Sequence, residues 1–168
     1  TSKQHLLNLL SVIDSIKDAH IIFTQANADP GGKVINQIIN DYVRLNSNKS
    51  IFFKTLGQLR YLSVMQHVDG VIGNSSSGLL EAPTLKIPTI NIGDRQKGRA
   101  RAKSVIDCKP ERNKIIKELK SIIENNHFFL PGYFKNPYGN GGASEKIINI
   151  LEKINYKYLL KKKFNDLY

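Results

Sequence analysis

Apolar residues recur along this chain in two alternating rhythms. Leu6, Leu9, Leu10, Ile13 and Ile16 fall at helical spacing with polar residues between them, which predicts a helix over 2–18. The run His20 to Gln25 is short and mostly apolar, and reads as a buried strand. A turn-rich stretch, 27–32, follows. The helical rhythm then returns with Val34, Ile35, Ile38, Ile39 and Tyr42, predicting a helix over 33–46. The alternation repeats: strand 50–53, helix 58–67, strand 69–73, a short helix opened by residues 74–78, and strand 88–92. A basic loop, 93–103, leads to a short extended piece at 104–107. Ile115, Ile116, Leu119, Ile122 and Ile123 stripe a helix over 111–125. An aromatic, Pro/Gly-rich loop spans 127–143. A last helix starts at Ser144, whose hydroxyl can cap it, and reaches about residue 163.

Continuous apolar strands alternating with amphipathic helices imply an α/β fold: a parallel sheet flanked by helices on both faces. The 168 residues suffice for one such domain, 1–168. The first residue is Thr1, and both ends are predicted as helices with no strand outside them. That pattern fits the second half of a longer, two-domain chain. No apolar run approaches the ~20 residues that a membrane span needs, so no membrane partner is expected.

Charge changes this picture. Residues 95–120 hold ten basic groups against three acidic ones, within a chain of net charge +11. Such a segment favours an anionic partner. Much of the lysine also fits an ordinary solvated surface. Arg95, Arg99 and Arg101 fit that reading less well, because they crowd a glycine-bearing loop. Lys161, Lys162 and Lys163 form a second basic cluster. The lone Cys108 gives no internal disulfide and reads as a half-buried thiol in a reducing cytoplasm. His5, His20, His67 and His127 show no metal-ligand spacing, and neither a Walker nor a Gly-x-Gly-x-x-Gly pattern occurs. No metal and no cofactor is expected.

Three loops at the carboxyl ends of strands carry the candidate chemistry. Asn74-Ser75-Ser76-Ser77-Gly78 lies between a strand and a helix, where backbone N–H groups and hydroxyls can cradle phosphate. The same residues also suit a plain strand-to-helix turn with a serine cap. Glu81 repels phosphate but can accept hydrogen bonds from ribose hydroxyls; a surface helix-dipole partner is the other reading. Arg95, in the next strand-end loop, can grip a phosphate in bidentate fashion. Asn27 begins the third loop, which also reads as an Asx-type turn.

Three segments together resemble one family: Asn74-Ser75-Ser76-Ser77-Gly78-Leu79-Leu80-Glu81-Ala82, Pro88 through Arg99, and Asn136-Pro137-Tyr138-Gly139-Asn140-Gly141. In this spacing they are similar to the C-terminal, nucleotide-binding domain of hydrolysing UDP-N-acetylglucosamine 2-epimerases. The resemblance covers about residues 2–155. It implies a Rossmann-like parallel sheet flanked by helices as one half of a GT-B-like two-domain enzyme, with the active site between the halves. It implies a reaction in which UDP is eliminated and water adds, yielding UDP and N-acetylmannosamine. By the same resemblance Ser75 and Ser76 hold the diphosphate and Glu81 the ribose. Arg95 lies on the diphosphate side, Asn27 near the nucleotide, and Tyr61 beside the uracil. The catalytic carboxylates would belong to the missing first domain, so no catalytic residue is expected here and the chain alone should be inactive. The implied partners are UDP, a UDP-N-acetylhexosamine and that N-terminal domain, in a cytoplasmic enzyme; homo-oligomerisation stays open.

Other readings remain. A close relative of the same kind would act on a UDP-diacetamido-trideoxyhexose. The donor half of a GT-B glycosyltransferase would share the ribose-binding glutamate. A basic nucleic-acid-binding module would interleave aromatics with its cations, and residues 95–120 hold none.

Overall fold

A computed structural model describes residues 2–27, 31–124 and 131–158. Residues 28–30, His127, the first part of the aromatic loop, and the basic cluster 161–163 lie outside them. Spatially the chain divides into two compact units, Thr1–Tyr138 and Gly139–Tyr168.

The first unit carries the alternation. Helix α1 (Ser2–Ile13) leads to strand β1 (Ile21–Thr24), α2 (Gly32–Leu45), β2 (Ser50–Phe53) and α3 (Gly57–Met65). Then follow β3 (Val71–Gly73), α4 (Ser77–Leu80), β4 (Thr89–Ile92), β5 (Val105–Cys108) and α5 (Arg112–Glu124). All strand pairs are parallel, as continuous apolar runs require. They fall into two sets, β1-β2 and β3-β4-β5, where the sequence predicts one sheet. The stretch 104–107 is a full strand that pairs with β4 through residues 105–108.

Two cores lie on the sheets. Leu10, Ile13, Phe23, Ile39 and Tyr42 form one, with Phe23 and Tyr42 edge to face at 5.8 Å. Val12, Ile90, Cys108, Ile115 and Ile122 form the other. α1 serves both, because Leu10 and Ile13 point one way and Val12 the other. A smaller cluster, Met65, Ala82 and Ile87, packs with Tyr61 against β3.

α1 ends at Ile13, not near residue 18. Ser15 donates both its N–H (2.9 Å) and its hydroxyl (2.6 Å) to the Val12 carbonyl, which tightens the chain into a turn. Asp18 then adopts φ 60°, outside the helical region. In the second unit α6 (Ala143–Leu151) starts one residue before Ser144, so Ser144 lies inside the helix. Gly142, at φ 74°, is its N-cap. The helix stops at Leu151, and a 3-10 turn, Tyr156–Tyr158, follows. No helix among the described residues is long and apolar enough to cross a membrane.

Candidate functional site

The serine loop leaves β3 through Gly73, whose φ of 155° is sparsely open to other residues. The Ser75 hydroxyl accepts the Ser77 N–H at 3.3 Å, and the Ser75 carbonyl accepts the Gly78 N–H at 3.3 Å. Ser76 is the N-cap of α4, and its side chain makes no capping bond. α4 is a single turn, so it carries little of a helix macrodipole. What the loop offers an anion is local hydroxyls and amides. Gly78 is fixed by packing: a Cβ there would meet Thr89 Cγ2 at 2.6 Å. Thr89, buried on β4, donates its hydroxyl to the Gly78 carbonyl at 3.0 Å.

Glu81 follows as the C-cap of α4, at the far end of this turn from Ser76. Its Oε2 is buried, and no hydrogen bond reaches it from the described residues. An unpaired buried carboxylate oxygen is costly. Its chemistry calls for a hydroxyl or N–H donor and opposes a phosphate.

Tyr61, on α3, meets the serine loop at Ser77. Its hydroxyl and that of Ser77 lie 2.7 Å apart, and its ring packs on the Met65 cluster. Tyr61 is thus half-buried scaffold for the loop.

The basic loop is tied to the serine loop by a residue the sequence reading passed over. Gln96 is 3% exposed, and its Nε2 donates to the Asn74 carbonyl at 2.8 Å. Beside it, Arg95 is exposed. Arg101 is committed elsewhere: its guanidinium pairs with the Asp107 carboxylate and reaches the Gln96 carbonyl at 3.4 Å. Asp107 also accepts from Asn91 Nδ2 at 2.7 Å. Arg101 therefore shapes the loop.

The Asn-Pro-Tyr segment is the second feature whose role the sequence concealed. Asn136 Nδ2 donates to the Leu80 carbonyl at 2.8 Å and to Thr84 Oγ1 at 2.7 Å. Its Oδ1 accepts the Tyr138 N–H at 2.9 Å, and the Tyr138 hydroxyl donates to the Ala100 carbonyl at 2.9 Å. This segment clamps the end of α4 and the basic loop together.

Asn27 stands apart from this assembly. It is exposed at the end of β1, in a turn held by Asn36, which accepts the Ala26 N–H at 2.8 Å. Its carbonyl lies 2.2 Å from where a Gly32 Cβ would be, so the chain closes over that glycine. Among the described residues no hydrogen bond links Asn27 to the serine loop.

A hollow of about 540 Å³ opens at the carboxyl ends of β4 and β5, lined by His5, Asn91, Asp94, Lys97, Asp107 and Lys109 among others. None of the six predicted residues lines it. Cys108 at its edge is buried, and its Sγ donates to the Lys109 carbonyl at 3.2 Å. Burial pushes its thiol pKa up, and the nearby Glu118 and Glu111 carboxylates add to that. Such a thiol is a poor nucleophile. Among the described residues no cluster of His, Cys, Asp or Glu is placed to hold a metal ion.

Residues 1–152 match the family described as UDP-N-acetylglucosamine 2-epimerase. The chain is similar to the GDP/UDP-N,N'-diacetylbacillosamine 2-epimerase (hydrolyzing) of Campylobacter jejuni, at 48% identity over 106 residues. That alignment covers 63% of this chain and 28% of the relative. It is similar also to the polysialic acid biosynthesis protein P7 of Escherichia coli, at 38% identity over 148 residues, 86% of this chain and 37% of the relative. In three dimensions it resembles the UDP-GlcNAc 2-epimerase of Methanocaldococcus jannaschii, with a TM-score of 0.64 at 27% identity. That match covers 89% of this chain and 41% of the other. The chain thus spans roughly a third of the length of these curated relatives.

Proposed function

The chain belongs to the UDP-N-acetylglucosamine 2-epimerase family, and on that premise we propose that it is the UDP-binding half of a hydrolysing UDP-sugar 2-epimerase. Ser75, Ser76 and Arg95 hold the diphosphate. Glu81 takes the ribose hydroxyls. Asn27 and Tyr61 border the nucleotide, Tyr61 through its hydroxyl contact with Ser77 of the serine loop. In the complete enzyme a proton leaves C2 of the sugar, UDP departs from C1, and water adds to the resulting glycal. The groups that move those protons belong to a first domain, which with this one makes a GT-B-like pair. The reaction takes place in the cytoplasm, where the buried Cys108 stays reduced.

The observation that carries this reading is the buried Oε2 of Glu81, without a hydrogen-bond partner among the described residues and one helical turn beyond the serine loop. It is an acceptor beside a phosphate cradle, as a nucleoside diphosphate requires. Calorimetric titration tests it. UDP should bind this chain detectably and more tightly than ADP. Equal affinity for the two would overturn it.

Two sugars fit this frame. The first is UDP-N-acetylglucosamine, with N-acetylmannosamine as product. The second is a UDP-diacetamido-trideoxyhexose, favoured by the 48% identity to the Campylobacter jejuni protein. Turnover of each by the full-length enzyme separates them.

A further inference from the structure

The single turn of α4 ends on a carbonyl that its own continuation does not take up. In a longer helix the Thr84 N–H would bond to the Leu80 carbonyl. Here the Thr84 N–H turns to the Glu81 carbonyl at 3.0 Å, and the Leu85 N–H joins it at 3.2 Å. The Leu80 carbonyl is thus one of the orphan acceptors of a helix end. Its partner lies 56 residues away in sequence: Asn136 Nδ2 donates to it at 2.8 Å.

The Leu80 carbonyl and the Glu81 N–H belong to one planar peptide group. Asn136 holds the oxygen of that plane, and the Ser77 carbonyl accepts its N–H at 2.9 Å. The Glu81 carbonyl is occupied as well, so the backbone is tethered on both sides of the Glu81 Cα. What is left for a ligand is the side chain, whose buried Oε2 has no hydrogen-bond partner among the described residues. The Asn136 amide is itself well fixed. Its nitrogen also donates to Thr84 Oγ1 at 2.7 Å, and its oxygen accepts the Tyr138 N–H at 2.9 Å. Exchanging the two atoms would set an oxygen against the Leu80 carbonyl, so the network selects this orientation.

Tyr138 makes a separate tie. Its hydroxyl donates to the Ala100 carbonyl at 2.9 Å. Ala100 belongs to a stretch folded on itself. The Lys97 N–H donates to the Asp94 carbonyl at 2.8 Å and the Arg99 N–H to the Gln96 carbonyl at 3.3 Å. The Arg101 guanidinium reaches the carbonyls of Gln96 and Arg99. A tie at Ala100 therefore steadies the loop that carries Arg95.

We infer that Asn136 and Tyr138 are positioning residues for the nucleotide, with divided duties. Asn136 sets the Glu81 carboxylate for the ribose through the Leu80 peptide. Tyr138 sets the Arg95 loop for the diphosphate through Ala100. Each acts through the residues it holds and not by contact with the ligand. The inference rests on the function proposed above and assigns to that site two residues from a segment far along the chain.

Titrations of the full-length protein with UDP and with inorganic pyrophosphate test it, each variant being made with and without Glu81→Gln. Asn136→Ser keeps an oxygen for the Tyr138 N–H, as serine turns do, and is too short to reach Leu80. It is expected to weaken UDP about fivefold, the scale of one lost hydrogen bond. It should leave pyrophosphate binding unchanged and cost UDP nothing further in the Glu81→Gln background. Tyr138→Phe removes only the hydroxyl, and is expected to weaken both ligands whether or not Glu81→Gln is present. Thermal melting shows that each variant is folded, and Tyr138→Phe still decides if Asn136→Ser does not fold. Equal losses of UDP affinity from Asn136→Ser in both backgrounds would overturn the inference, because the residue would then act elsewhere than through Glu81. So would undiminished pyrophosphate binding by Tyr138→Phe. If Glu81→Gln alone left UDP affinity intact, the ribose assignment itself would fall, and this inference with it.

Discussion

The side-chain amide of Gln96 donates to the Asn74 carbonyl at 2.8 Å and thereby joins two loops that leave different strands. One carries Ser75 and Ser76, the other Arg95. A diphosphate clamp needs the two at a set distance. Gln96→Ala is expected to lower stability by about 1 kcal/mol, the net worth of one such bond, and to weaken UDP several-fold through the same slackening. Calorimetry beside thermal melting measures both. Unchanged UDP affinity would show that the loops are held in register by something else.

Gly78 is set by contact with Thr89. Gly78→Ala should destabilise by roughly 1–3 kcal/mol, the usual range for overpacking, because the new methyl meets Thr89 Cγ2. Thr89→Ser removes that methyl and keeps the hydroxyl bonded to the Gly78 carbonyl. The double variant should therefore recover part of the loss. Additive destabilisation in a double-mutant cycle would place the strain elsewhere.

These two contacts mark where sequence reading succeeds and where it stops. The order of helices and strands was legible because apolar period and strand length report burial directly, as at Ile90 and Ile115. The serine loop was legible because its spacing places it at a strand end, and Glu81 follows it as the C-cap of the single turn α4. Gln96 was not, since a glutamine among lysines and arginines gives no sign of being buried. Asn136 and Tyr138 were visible as a motif without a role, because their partners Leu80 and Ala100 lie 56 and 38 residues away. The apolar period overextends α1 because a serine that turns the chain by bonding Val12 looks in sequence like any exposed helical serine.

The Tyr42 hydroxyl donates to the Asp14 carboxylate at 2.7 Å, and Lys49 lies 3.1 Å from the same oxygen. The Tyr42 bond, followed by Lys49, holds the Asp14 carboxyl below its usual value despite some burial. Burial, then Asp14, pushes the Tyr42 hydroxyl far up. A depressed carboxyl binds fewer protons folded than unfolded, so its stabilisation is present above about pH 4 and lost as pH falls through the lower, folded pKa. A raised phenol acts in the opposite sense: its stabilisation is full below about pH 10 and declines as pH rises beyond it. Tyr42→Phe should flatten both arms of the melting-temperature profile. An unchanged acid arm would show that the Tyr42 bond does not set the Asp14 pKa.

On the function proposed above, the chain by itself should release no UDP from UDP-N-acetylglucosamine or its diacetamido analogue, because that reading places the groups that move protons at C2 in another domain. A coupled assay for free UDP checks this. Turnover abolished by a substitution within residues 1–168 would put the active site here instead.

Glu81→Gln tests the central assignment most directly. The change keeps size and removes charge at a buried oxygen that has no hydrogen-bond partner among the described residues. Hydrogen bonds to a charged group contribute about 1.5–3 kcal/mol each, and ~1.4 kcal/mol is tenfold in affinity. UDP affinity, measured by calorimetry alongside inorganic pyrophosphate affinity and thermal melting, is expected to fall about tenfold or more while pyrophosphate binding holds. UDP affinity that survives the change, with only the melting temperature altered, would contradict the ribose role of Glu81.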